Sequence, residues 1–330
     1  MRAVGVNTFG DASVLEMLDL PVPQPAPGEV RVRLSYAGLN FIDIYMRSGA
    51  YKKSDTYKTP LPMVLGMEGV GVIDALGEGV GGLRPGQRVA WCIHRGAYAE
   101  YVIVPAWKLV PVPDEIDDQT ACTLQLQGCT AHYLTHSAFA LKAGQICLLH
   151  AGAGGVGQLV IQLAKARGAH VIATVGSAEK ARIAADCGAD HAILYNEEDF
   201  LPRVMEMTNG AGVDVVYDSV GRDTIARSIR SLRRRGTVIN YGGASGLVEA
   251  VTPLELAEAG SVFFTRPHLA DYMQNAEEIR SRTDDLFSRV QAGELRVAVD
   301  RVLPLEAASE AHRALEGRES KGKLLLSIQA

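Results

Sequence analysis

Cysteine is scarce. Cys92, Cys122, Cys129, Cys147 and Cys187 are the whole set, and no two form a C-x-x-C pair. This excludes a disulfide scaffold and a Cys-rich zinc lobe, and it fits the reducing cytoplasm. An apolar leader is also lacking. Met1-Arg2-Ala3-Val4 runs on to Asp11 and Glu16 with no hydrophobic core between them, so no secretory signal is expected. No apolar run approaches the roughly 20 residues that span a bilayer. Excess charge of one sign is missing too, with 33 Lys and Arg against 38 Asp and Glu and a formal net charge of -5. That balance speaks against nucleic acid or a membrane surface as a partner. No internal repeat and no low-complexity tract interrupts the chain.

What is present is enough apolar material for two cores: 330 residues, 47% of them hydrophobic. The first third reads as β-rich. Val30–Ser35 alternates strictly, and Gly69–Leu76, Arg88–Cys92, Glu100–Val104 and Leu109–Val112 are short strand candidates between Pro/Gly turns. Many short strands of this kind curl into a small barrel. From near Asp118 the character changes to an alternation of strand and helix. The strands are Ile146–His150, Val171–Val175, Ala192–Tyr195, Val213–Tyr217 and Thr237–Tyr241. The helices are Leu159–Ala166, Ala178–Asp186, Phe200–Thr208 and Thr224–Leu232. This rhythm predicts a parallel sheet covered on both faces, an α/β fold. The last part, with a helix over Ala276–Ala292 and a closing strand over Lys323–Ile328, is expected to rejoin the first domain.

Between the strand Ile146–His150 and the following helix lies Ala151-Gly152-Ala153-Gly154-Gly155-Val156-Gly157, which matches G-x-G-x-x-G at 152, 154 and 157. Glycine permits the tight turn, the approach of backbone to a pyrophosphate, and close helix–strand packing, while the N–H groups at the helix start attract phosphate. The strand-to-helix context makes this more than a connecting turn and points to a dinucleotide. An NAD site places Asp or Glu at the tip of the second strand. Here the tip reads Thr174-Val175-Gly176-Ser177, with Lys180 one turn later. Donors and a lysine suit a 2′-phosphate, so NADPH is the expected cofactor. Ser177 as a plain helix cap is compatible with this.

The sequence resembles the zinc-free NADPH:quinone oxidoreductases, the zeta-crystallin-like group of the medium-chain dehydrogenase/reductase superfamily. The resemblance is carried by Asn40-Phe41-Ile42-Asp43, Tyr45-Met46-Arg47-Ser48-Gly49, His150–Gly157, Thr174–Lys180, Tyr217-Asp218-Ser219-Val220-Gly221 and Thr265-Arg266-Pro267. It implies a GroES-like β-rich catalytic domain (1–122 and 269–330) and a Rossmann doubly wound parallel sheet (123–268). By position it implies Asn40, Tyr45 and Tyr51 on the catalytic side of the nicotinamide cleft, and Gln127 and Thr130 near it. Gln127 stands where some relatives carry lysine. Gly152, Gly154, Gly155, Val156 and Gly157 would meet the pyrophosphate. Gly176, Ser177, Lys180 and Tyr195 would surround the 2′-phosphate. Ser219, Tyr241, Gly242, Phe264, Arg266 and Lys323 would approach the nicotinamide half.

Metal ligands are not expected. Gly66-Met67-Glu68 stands where zinc-dependent relatives carry Gly-His-Glu, and Gly38 lies near the position of their ligand cysteine. His132 and His136 share a helix face without a third ligand; His94, His150 and His268 have no partner motif. The run Arg230–Arg235 is read as the solvated last turn of a helix. The implied reaction is hydride transfer from NADPH to a quinone or another conjugated carbonyl. An enone or 2-alkenal reductase is the nearest alternative, and a cofactor-holding structural or RNA-associated crystallin-like protein is the alternative from another class. The segment Gly260–Thr265 is a candidate edge strand for a homodimer.

Overall fold

The computed structural model describes residues 1–58 and 60–328. The chain forms two compact units, Met1–Cys129 with Met273–Ala330, and Thr130–Tyr272. In the first, β1 (Arg2–Val6) and β2 (Glu16–Asp19) precede the long β3 (Glu29–Leu39) and the short helix α1 (Phe41–Arg47). Then follow β4 (Met63–Val64), β5 (Glu68–Leu76), β6 (Arg88–Cys92), β7 (Tyr101–Pro105), β8 (Val110–Pro111) and α2 (Asp118–Thr123). The helical path continues through a π turn at Leu124–Gly128, α3 (Cys129–Tyr133) and a second π turn at Leu134–Ala138. The division between the units, at 129/130, falls within this unbroken run.

The second unit carries β9 (Ile146–His150), α4 (Gly155–Ala166), β10 (His170–Val175), α5 (Ala178–Asp186), β11 (His191–Leu194), α6 (Phe200–Met207), β12 (Val213–Asp218), α7 (Ile225–Arg230), β13 (Leu232–Asn240), α8 (Pro253–Glu258) and β14 (Phe263–Thr265). Its sheet order is β11-β10-β9-β12-β13-β14, parallel throughout. Counted within the unit this is the doubly wound order 3-2-1-4-5-6, whose switch point lies between β9 and β12. Leu148, Ile172, Ile193, Val216 and Val238 form the core of the sheet, each buried. Each such side chain contributes about 1.5–3 kcal/mol. Gly168 and Gly188 end α4 and α5 at φ +75 and +103, the left-handed geometry expected of them.

The chain then returns to the first unit with α9 (Ala276–Gln291), β15 (Val299–Pro304), α10 (Ala308–Glu316) and β16 (Lys323–Ser327). The main sheet there runs β15-β16-β3-β5-β6-β8, with β7 also on β3. β3 extends beyond the alternating Val30–Ser35 because its end is covered on both faces: Ala37, Gly38 and Leu39 are buried and pair with β16, Leu324 opposite Leu39. That pairing sets Lys323 beside the end of β3.

One element departs from expectation. The basic run does not close a helix. α7 ends at Arg230, and Leu232 already pairs with Val213 as the start of β13, through an irregular register. Arg235 sits at φ +58, and the Arg233 guanidinium lies 2.7 Å from Asp214 Oδ1. Charge content mimics a helix end here; the pairing with β12 overrides it.

Candidate active site

The glycine turn is built by steric exclusion. β9 delivers the chain to Ala151, which takes φ +57. A Cβ on Gly152 would lie 2.7 Å from the Ala173 methyl on β10, and one on Gly157 would lie 2.3 Å from the Ala151 carbonyl oxygen. Both positions therefore demand glycine for close packing. Gly154 caps α4 in extended conformation, and no side chain caps the helix start. The backbone N–H groups of Gly155, Val156 and Gly157 belong to the first turn, where no intrahelical partner exists. These residues fit a pyrophosphate.

At the tip of β10, Ser177 caps α5 by accepting the Lys180 N–H at 3.3 Å. A Cβ at Gly176 would come within 2.6 Å of the Tyr195 hydroxyl, which thus overhangs the glycine. Asn196 Nδ2 donates to the Gly176 carbonyl at 2.9 Å. Asn196 carries no sequence signal, because only the parallel register of β10 and β11 brings it to this tip. The end of β10 itself carries no carboxylate; Ser177 and the Tyr195 hydroxyl stand there, and Glu179 and Lys180 follow in the first turn of α5.

Behind these tips lies a buried polar cluster that sequence reading missed. His150, Thr174, Asp218 and Ser228 are each at most 2% exposed. His150 lies 2.9 Å from Thr174 Oγ1 through Nδ1 and 2.9 Å from Ser228 Oγ through Nε2. Burial lowers the imidazole pKa, although Asp218 pulls it up. Asp218 Oδ1 accepts the Val220 and Gly221 N–H groups, both at 2.9 Å, and so folds the turn that presents Ser219. Asn240 Nδ2 donates to the carbonyls of Asp218 and Gly242, at 3.1 and 2.9 Å. A Cβ on Gly242 would meet the Ser219 carbonyl oxygen at 2.5 Å. Tyr241 and Gly242 are thereby fixed beside Ser219. Thr130 is buried in this unit, and Phe264 and Arg266 are half-buried at and after β14.

In the first unit, Asn40 precedes α1 and is 5% exposed. Its Nδ2 donates to Glu68 Oε2 at 2.9 Å, and its Oδ1 accepts from Lys323 Nζ at 2.9 Å. The Lys323 ammonium also pairs with Glu68 Oε2. Glu68 Oε1 accepts the Leu126 N–H at 2.5 Å. Lys323 is thus wholly buried, its ammonium engaged by Asn40 and Glu68. Tyr45 and Tyr51 stand in an aromatic file: ring centroids are 6.0 Å apart for Phe41 and Tyr45, 5.2 Å for Tyr45 and Tyr51, and 5.3 Å for Tyr51 and Tyr57. The Oε1 atoms of Gln125 and Gln127, on the first π turn, are buried without a hydrogen-bond partner among the described residues. Such turns recur at functional sites.

Asp43 is buried and accepts the Asn40 N–H at 2.9 Å and the Met67 N–H at 3.1 Å. Burial pushes its carboxyl up to about 7. Tyr98 links it to His312, which is bonded on its other nitrogen to Arg47. Arginine only donates, so His312 Nδ1 is bare, its Nε2 carries the hydrogen, and the Tyr98 hydroxyl donates to Asp43. Burial holds the His312 pKa down at about 3.

Zinc does not fit this unit. Met67 and Gly38 offer no donor, and both Glu68 oxygens are already bonded. The thiols do not supply one either. Cys92, Cys122 and Cys129 are buried, with burial raising each pKa, that of Cys129 to about 12.

Comparison with known proteins places the chain in a family. Residues 26–114 match the family model described as alcohol dehydrogenase GroES-like domain, and residues 155–285 match zinc-binding dehydrogenase. A quinone oxidoreductase of Pseudomonas aeruginosa is 40% identical over 98% of this chain and 99% of its own. A 2-haloacrylate reductase of Burkholderia sp. is 40% identical over 94% of each chain. The crystal structure of Escherichia coli quinone oxidoreductase complexed with NADPH superposes with a TM-score of 0.95 at 38% identity, covering 99% of this chain and 100% of that one. The chain belongs to the quinone oxidoreductase family of the medium-chain dehydrogenase/reductase superfamily, with a GroES-like domain and a Rossmann domain.

Proposed function

We propose that the protein is an NADPH:quinone oxidoreductase that needs no metal. The observation carrying the cofactor reading is the end of β10, where Gly176 and Ser177 replace the strand-end carboxylate of an NAD site, with Tyr195 over Gly176 and Lys180 one turn later; Glu179 is on the helix and not at the strand end. Bound NADPH supplies a hydride from C4 of its nicotinamide. In balance, one quinone, one NADPH and one proton give one hydroquinone and one NADP⁺, with the second hydrogen of the hydroquinone arriving as the proton. Without a Lewis acid, the acceptor must already be electron-poor.

The chain's own residues bind and orient. Gly152, Gly154, Gly155, Val156 and Gly157 take the pyrophosphate, and the β10 tip takes the 2′-phosphate. Within the second unit, Thr130, Ser219, Tyr241, Gly242, Phe264 and Arg266 serve the nicotinamide half; within the first unit, Asn40, Tyr45 and Gln127 are the residues assigned to cofactor binding. Tyr45 and Tyr51 offer a flat acceptor an aromatic wall and a phenolic hydrogen bond. Lys323 serves indirectly, through Asn40. The 2-haloacrylate reductase relative favours conjugated acids as a second acceptor class. Turnover measured with NADPH and NADH side by side, on p-quinones, enones and haloacrylates, before and after chelator, tests the reading. Faster turnover with NADPH and no loss on chelation are expected; zinc-dependent alcohol oxidation alone would end it.

The acceptor is a small molecule. The cytoplasm is the compartment that suits five free cysteines. Among the described residues no helix is long and apolar enough to cross a membrane. A homodimer through the outermost strand β14 is supported by Phe263, 62% exposed there; light scattering tests it.

A further inference from the structure

We propose that His150 is a positioning residue for the dinucleotide, acting through a one-way chain of hydrogen bonds that ties three strand tips together. The inference rests on the NADPH reading. Its direction follows from the partners. Ser228 Oγ lies 2.7 Å from Asp218 Oδ2, and a carboxylate only accepts. The serine hydrogen therefore points to Asp218, and the same oxygen receives from His150. Nε2 must carry the imidazole hydrogen, Nδ1 is left bare, and the Thr174 hydroxyl donates to it. Thr174 to His150 to Ser228 to Asp218 is thus a single donor sequence with no reversal.

Each member stands next to a piece of the cofactor site. His150 is the residue before the glycine turn. Thr174 lies opposite it in the parallel register, two residues before Gly176. Asp218 holds the Ser219-Val220-Gly221 turn by two N–H groups and also accepts Thr224 Oγ1 at 2.8 Å. Phe200 packs edge-to-face against the imidazole at 4.8 Å between centroids, and the Arg227 guanidinium lies 4.8 Å from the Phe200 ring centroid. The cluster is buried and its hydrogen bonds run in one direction, so a shift at one tip bears on the other two. A core needing only to be filled would be better served by leucine, since buried polar groups cost stability unless fully paired. Pairing is complete for His150, so its ring is held in one orientation beside the glycine turn.

The test compares the full-length wild type with His150→Leu, His150→Gln and Ser228→Ala. NADPH dissociation constant, kcat, KM for NADPH and for a quinone, and melting temperature are measured on folded protein. His150→Leu is expected to raise KM and Kd for NADPH about tenfold while kcat and quinone KM stay within twofold. His150→Gln, with an amide N–H in the place of Nε2, is expected to recover most of that affinity. If His150→Leu fails to fold, Ser228→Ala carries the test, since it removes a single hydroxyl and should still raise NADPH KM three- to fivefold. Folded variants with lowered melting temperature and unchanged NADPH KM would overturn the proposal. Wild type that binds no NADPH would instead overturn the cofactor reading itself.

Discussion

Glu68 leaves no room for a side chain at Gly38: a Cβ there would lie 2.0 Å from Glu68 Oε2 and 2.9 Å from Lys323 Cε. The glycine is what lets a buried carboxylate and a buried ammonium share the end of β3. Gly38→Ala is expected to break this arrangement and to cost about 3 kcal/mol, the scale of disrupting a buried ion pair. Lys323→Met should cost as much, by leaving Glu68 buried without its cation. Lys323→Met combined with Glu68→Gln should be less damaging than Lys323→Met alone. Urea unfolding of the four proteins checks this. Equal stability of Gly38→Ala and wild type would refute it.

The β10 tip makes a second prediction. Lys180→Ala should raise KM for NADPH roughly tenfold and leave KM for NADH unchanged, since only the former carries the 2′-phosphate. Gly176→Asp should go further and reverse the preference, by repelling phosphate and by crowding Tyr195. Parallel steady-state assays with the two cofactors decide it. An equal effect on both would show that Lys180 does not face the 2′-phosphate.

A third concerns acid. His312 titrates near 3 in the folded protein and at 6.5 when free of it. Between those values the unfolded chain holds a proton that the folded chain refuses. Stability from this group is complete above pH 6.5 and falls as pH drops, by up to about 1.4 kcal/mol per unit. Asp43 runs the other way: raised from 3.8 to about 7, it stabilises below pH 3.8 and loses that contribution as pH rises through 7. His312→Gln keeps a donor toward Tyr98 and an acceptor for Arg47, so the Asp43 slope is common to both proteins. The stability of wild type relative to His312→Gln should therefore fall by about 2 kcal/mol from pH 7 to pH 5. Chemical unfolding at the two pH values measures it, and a constant difference would contradict the assignment.

Much of this was legible in the sequence where the signal is local. The strand Ile146–His150 and the helix Ala178–Asp186 have their expected bounds, and the glycines of the turn sit where the spacing put them. What was not legible lies across large separations. His150 meets Ser228 78 residues away, and Lys323 meets Glu68 255 residues away. No spacing rule reaches such pairs; sheet order creates them. Asn196 was invisible for the same reason. The start of β13 was misread because three consecutive arginines after a helix look like its last turn, whereas they fill the irregular stretch between the Leu232 and Thr237 pairings with β12.

The buried thiols have a chemical consequence of their own. Conjugated acceptors undergo Michael addition, and cysteine thiolates are the nucleophiles they capture most readily. Here Cys92, Cys122, Cys129 and Cys147 are all enclosed, and burial keeps them in the unreactive SH form. These four thiols are thereby shielded from arylation by conjugated electrophiles, which leaves half-buried Cys187 as the one thiol open to it among the described residues.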